Sequence, residues 1–129
     1  MRYLGIDFGE KRIGYAVSDD AGSIAFPRTT LRNDPMLMEQ LAAVIEREAI
    51  GAIVVGDTRA FGGAANPVTE SAERFMQLLR DETGLTVEPA WEAGSSIEAS
   101  RYAPDGDGHD DAAAAAVILQ RFLDMHPRA

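Results

Sequence analysis

Cysteine is absent from the 129 residues. That removes disulfides and thiolate metal ligands, and it fits a reducing compartment. Basic residues are scarce: 12 Lys plus Arg stand against 21 Asp plus Glu, for a net charge of −9 and a pI near 4.6. A chain of this balance is not expected to coat nucleic acid non-specifically, because that mode relies on many Lys and Arg contacts to phosphate. An enzyme that meets phosphates through a local basic patch and screens its acids with cations stays open. Lys11 is the only lysine, and the other basic residues are arginines. Long apolar runs are missing too. No stretch approaches the length of a membrane span, and no basic segment followed by an apolar run marks a signal peptide. A cytoplasmic chain without membrane contact is expected.

What is present suits one folded domain over residues 1–129, with a hydrophobic fraction of 46% and enough length for a core. Tyr3 to Phe8 is mostly apolar and β-prone and reads as a short buried strand. Ile13, Tyr15 and Val17 alternate with Gly14, Ala16 and Ser18, which predicts a second strand joined to the first through a turn at Gly9–Arg12. Asp19 to Gly22 is a turn, and Ser23 to Phe26 is a candidate third antiparallel strand ended by Pro27. Arg28 to Asp34 reads as a polar connection. Asp34-Pro35 predicts a helix start, with Asp34 as N-cap. Leu37, Leu41, Val44 and Ile45 carry that helix to about Ala49, with Gly51 as its stop. Ala52 to Gly56 is a continuous apolar run, the pattern of a parallel strand buried on both faces. Residues 57–67 form a loop. Val68, Ala72, Phe75, Met76 and Leu79 mark a second helix that Gly84 stops, and Leu85 to Pro89 is a fifth strand. Ser95 and Glu98 fit a capping box for a short helix reaching Tyr102. Asp110 or Asp111 opens the last helix. Hairpins followed by helix–strand units predict an α/β domain with a mixed five-stranded sheet, three strands antiparallel and then two parallel, flanked by helices.

Asp7 lies inside an apolar strand. A carboxylate there is costly unless it is paired or binds a metal, and the neighbouring glycines let another backbone, a phosphate or a metal come close. Glu92 follows the last strand. Asp111 lies on the buried stripe of the last helix, since Ala115, Ile118 and Phe122 follow it at helical spacing. Converging carboxylates repel one another and are stable mainly around a divalent cation. Oxygen-only ligands favour Mg²⁺ or Mn²⁺, and two such ions can clamp the attacking and leaving oxygens of a phosphodiester.

The stretch GIDFGEKRIGYAVSD, the VVG strand, an A-x-R-F helix and a closing D-A-A-A-A-A-V-I-L-Q helix resemble the YqgF/RuvX family across nearly the whole chain. The resemblance implies an RNase H-like fold similar to Holliday-junction resolvases, and a nuclease that matures the 5′ end of pre-16S rRNA. Asp7 matches the family's first-strand aspartate. Asp111 matches its helix aspartate when Val117 to Gln120 is set on the V-x-I-L-Q stretch, with Asp110 as the neighbouring candidate. Setting Ser95-Ser96 on the family's Thr-Thr pair puts Glu92 on its glutamate, Trp91 on its aspartate and Ala93 on its arginine. The chain also has Gly106 to His109 where members carry lysines, and Gly56-Asp57-Thr58 where they carry G-L-P. These departures remove basic groups that would touch phosphate. They bear on substrate affinity more than on metal binding.

Asp7, Glu92 and Asp111 are therefore the candidate catalytic residues and metal ligands, with Mg²⁺ or Mn²⁺ as cofactor. Lys11, Arg12, Arg59, Arg74 and Ser96 are candidate nucleic-acid contacts. Each has a plainer alternative: solvated turn or surface cations for the four basic residues, helix capping for the Ser95-Ser96 pair. His109 and His126 carry no assigned role. The substrate class is RNA or branched DNA, and the chain is expected as a monomer or homodimer. Three other readings stand beside rRNA processing. One is a junction resolvase with the same chemistry, and one a non-catalytic ribosome-assembly factor on the same fold. The last is a nucleotide-binding module, since Asp-x-Gly hairpins also bind phosphate in ATPase-like and sugar-kinase-like proteins. Those close two such domains around the nucleotide, and this length does not supply both.

Overall fold

A computed structural model describes residues 1–56, 67–90 and 111–125. In chain order its elements are β1 (Arg2–Asp7), β2 (Arg12–Ser18), β3 (Ala25–Arg32), α1 (Leu37–Glu48), β4 (Ile50–Gly56), α2 (Pro67–Thr83), β5 (Thr86–Pro89) and α3 (Asp111–Met125). The five strands form one sheet in the order β3-β2-β1-β4-β5. β1–β2 and β2–β3 are antiparallel, while β1–β4 and β4–β5 are parallel. The mixed sheet expected from the sequence is the sheet observed. The expected helix from Ser95 to Tyr102 lies outside the described residues.

Alternation along the strands sorts the side chains onto two faces. Leu4, Ile6 and Phe8, with Ile13, Tyr15, Val17, Ile53 and Val55, pack with α1 and α2 residues such as Leu41, Val44, Phe75 and Leu79. Each such aliphatic side chain contributes about 1.5–3 kcal/mol by leaving water. The other face shows Gly5, Asp7, Gly14, Ala16, Val54 and Gly56. There Ala16 and Val54 pack with Ala115, Ile118, Leu119 and Leu123 of α3. Small residues on this face let α3 lie low. A Cβ added at Gly5 would meet Leu119 Cβ at 2.6 Å, and one added at Gly56 would meet Ile118 side-chain carbons at 3.0 Å.

The β3 span, the α1 start and the α1 stop residue differ from the sequence expectation. β3 begins at Ala25 and passes through Pro27 to Arg32, so the expected polar connection from Arg28 is mostly strand. Proline is tolerated because β3 is an edge strand and its register with β2 shifts between Tyr15 and Ala16. Ser23 and Ile24 belong to the preceding turn. Their backbone N–H groups and the Ser23 hydroxyl donate to the Asp19 carboxylate. Those bonds, the Ser23 N–H first, hold the Asp19 pKa below its ordinary value. Next, α1 starts at Leu37 and not at Asp34-Pro35. The Asp34 carboxylate accepts from Met36 N–H at 2.9 Å and its carbonyl from Leu37 N–H at 2.9 Å, making a turn that leads into the helix. Finally, α1 ends at Ala49 as expected, but the stop is Ala49 itself, in the left-handed region at φ 56°, and not Gly51, with Ile50 already in β4. Gly51 is a strand residue.

Candidate nuclease site at the carboxyl edge of the sheet

The carboxyl ends of the three parallel strands share one edge. Phe8 N–H donates to Gly56 O at 2.7 Å, and Ala90 N–H donates to Val55 O at 2.9 Å. In open α/β sheets this edge is where ligands bind. Asp7 is the last residue of β1, on the α3 face, and only 7% exposed. Its Cα partner across the antiparallel ladder is Gly14. The first turn of α3 comes down on that glycine: a Cβ at Gly14 would lie 2.1 Å from the backbone carbon and oxygen of Asp111. Cα partners in such a ladder are about 4.5–5.5 Å apart, so the Asp7 and Asp111 backbones stand no more than about 9 Å apart. Residues from the two ends of the sequence thus flank one missing side chain.

Arg12 completes the described part of the site. Its Nε donates to Asp111 Oδ2 at 2.8 Å, with side-chain exposures of 44% and 21%. The bond fixes the orientation of the first carboxylate of α3 and half-neutralises the edge. Partial exposure keeps its contribution to stability within about 0–1 kcal/mol. The β1–β2 turn that carries Lys11 and Arg12 is fastened from β3's exit. Asn33 Nδ2 donates to Gly9 O at 2.8 Å, and Asn33 N–H donates to Lys11 O at 2.9 Å. Lys11 itself is exposed. Nothing in the sequence marks Asn33 for this role, because the role depends on where β3 ends. Arg74 is exposed on α2, with Nη2 3.4 Å from Ser71 Oγ. α2 packs on the face opposite α3, so the described geometry does not bring Arg74 beside Asp7 and Asp111. Glu92, Arg59, Ser96 and Asp110 lie outside the described residues.

Among the described residues no group of three or more His, Cys, Asp or Glu comes together. The backbones of Asp7 and Asp111 do meet at Gly14, and both side chains carry hard oxygen donors. Mg²⁺ is usually held by one or two carboxylates together with water and substrate phosphates. The chemistry of the two residues, Asp7 and Asp111, fits such an ion.

A family model described as "RuvX: Holliday junction resolvase" matches residues 1–125. A protein of Bordetella petrii is 38% identical over 130 residues, covering 96% of this chain and 95% of its own length. One of Geobacillus thermodenitrificans is 37% identical over 135 residues, covering 96% and 98%. Both are named "Putative pre-16S rRNA nuclease". Among solved structures, Thermus thermophilus RuvC in complex with a Holliday junction substrate superposes with a TM-score of 0.60 over 98% of this chain and 96% of that one, at 16% identity. The fold is the RNase H-like one expected.

Proposed function

The chain belongs to the RuvX family, and from that premise we propose that it is a divalent-cation-dependent endonuclease that hydrolyses RNA phosphodiesters, processing the 5′ end of pre-16S rRNA. The observation that carries the proposal is that the backbones of two acidic residues, Asp7 and Asp111, both come against Gly14 at the carboxyl edge of the sheet. Asp7 and Asp111 hold the cation, Mg²⁺ or Mn²⁺, with Glu92 as the third ligand. A bound cation supplies charge stabilisation at the phosphoryl oxygens. Arg12 orients the Asp111 carboxylate. Lys11 meets the backbone of the nucleic acid, and Arg59 and Ser96 extend that contact surface, whereas Arg74, on the opposite face, does not. No serine or cysteine nucleophile is required. The enzyme works in the cytoplasm, as a monomer or homodimer.

The family description supports a second reading, resolution of branched DNA with the same residues. Resolvases cut two symmetric strands and so act as dimers. One experiment separates the two. Purified protein is given a single-stranded RNA, a precursor 16S leader and a four-way DNA junction, each in Mg²⁺ and in Mn²⁺, beside Asp7→Asn. The rRNA reading expects leader cleavage that the variant loses while keeping its circular dichroism. Symmetric junction cutting with an intact leader moves the protein to the resolvases. Cleavage retained in Asp7→Asn removes Asp7 from the site. A folded protein that cuts none of the three substrates favours the non-catalytic factor.

A further inference from the structure

The site leaves one neighbouring cation without a role. Arg32, the last residue of β3, is the Cα partner of Arg12 on β2. Directly opposed residues of an antiparallel pair project to the same face with Cβ atoms about 4.5–5.5 Å apart, and like charges there destabilise the pair. That face is the one α3 covers, because Arg12 reaches Asp111 on it. Elsewhere the strand arginines are matched by acids. Arg2 pairs with Asp20 at 3.0 Å and with Glu48 at 2.8 Å, and Arg28 pairs with Glu48 at 3.3 Å. Arg32 is exposed, and among the described residues no carboxylate lies within ion-pair distance of it. In a chain of net charge −9, an arginine set against another arginine and supplied with no acid among the described residues is suited to an external anion.

We propose that Arg32 and Arg12 together form a phosphate site that holds the nucleic-acid backbone against the carboxylates Asp7 and Asp111. This rests on the nuclease reading and adds to it a contact residue, Arg32. Arg12 is two residues from Gly14 on the same strand face, about 7 Å along the strand, so a phosphate between the two guanidiniums lies next to the carboxylate pair. Guanidinium suits the task, because its planar fork matches phosphate oxygens two at a time and stays charged at any working pH. An anion there also removes the cross-strand repulsion.

The test is binding measured by fluorescence anisotropy. The probes are a labelled single-stranded RNA 20-mer and a four-way DNA junction, titrated across salt concentrations in EDTA and in Mg²⁺. Asp7→Asn serves as the common background so that cleavage does not intervene. Arg32→Gln is expected to weaken binding several-fold and to reduce the slope of log K against log salt by about 0.7 on the RNA or about 0.9 on the duplex arms, the signature of one lost phosphate contact. Arg32→Lys keeps the slope, and Arg28→Gln, four residues along β3, changes neither quantity. The probe with the larger loss identifies which backbone the site prefers. Unchanged affinity and slope in Arg32→Gln, with binding weakened in Arg12→Gln, overturns the Arg32 assignment and leaves the nuclease reading standing. A folded parent that binds neither probe removes both.

Discussion

At position 14, an alanine methyl would lie 2.1 Å from the carbonyl carbon and oxygen of Asp111 and 2.6 Å from Ala112 N. All three are backbone atoms at the start of α3, so no rotamer change relieves the clash and the helix end itself must move. Gly51 supplies the contrast. A methyl there would meet Met1 Cγ at 2.7 Å, but that contact is a flexible side chain at the chain terminus. Gly14→Ala is expected to cost about 1–3 kcal/mol, the usual range for overpacking. It should also lower cleavage at temperatures where the variant is still folded, because Asp111 moves away from Asp7. Gly51→Ala is expected to melt close to the parent. Paired thermal melts read the difference, and equal melting temperatures would mean that α3 does not seat on Gly14. Asp7 was legible in the sequence because an acid interrupting an apolar strand stands out by itself. The reason for Gly14 was half legible: the pattern showed that something approaches, while the identity of the visitor, the backbone of a residue almost a hundred positions later, is set by tertiary packing.

Among the secondary-structure elements, α1 passes into β4 with no linker, and the reversal falls on Ala49 at φ 56°. An L-residue with a Cβ is strained in this region by about 1–2 kcal/mol, whereas glycine adopts it freely and gives back about 0.5–1 kcal/mol through the entropy of the unfolded chain. Ala49→Gly is therefore expected to stabilise by about 0.5–1 kcal/mol, seen as a raised melting temperature with unchanged cleavage. A lower one would show that the Ala49 methyl contributes more than its strain removes. The helix end expected near Ala49 is the one observed, but its stop is assigned by sequence to Gly51, because glycine is the usual left-handed cap and nothing local distinguishes an alanine forced into that role. The extent of β3 is illegible in the sequence for a related reason. Proline normally closes a strand, and only the neighbours of β3 in the sheet reveal that it is an edge, where a missing N–H does no harm. Arg32 therefore has the local signature of a loop residue, although it lies directly across from Arg12. The strands whose signal is their own composition, β1, β2 and β4, were legible; elements whose ends depend on a partner strand were not.

For the whole molecule, the balance of charge decides how the carboxylate pair behaves. The net charge is −9, and Asp7 is 7% exposed with Asp111 across a single glycine. Holding two acids together in an acidic chain opposes folding, and a divalent cation converts that repulsion into attraction. Metal binding and stability are then linked, because an ion that binds only the folded state stabilises it by about 2.7 kcal/mol at one hundred times its dissociation constant. For a chain of this size that is a rise in melting temperature on the order of 10 °C. Mn²⁺ or Mg²⁺ is expected to produce such a rise in the parent, at constant ionic strength so that simple screening does not contribute. Asp7→Asn removes one charge from a buried position. It is expected to melt at or above the parent in EDTA and to lose most of the increment when cation is added. The two effects have opposite signs in one variant, which separates them from general damage to the fold. A parent whose melting temperature ignores both cations, or an Asp7→Asn variant that keeps the full increment, would remove the carboxylate pair as the cation's seat and leave the acidic edge of the sheet without a chemical task.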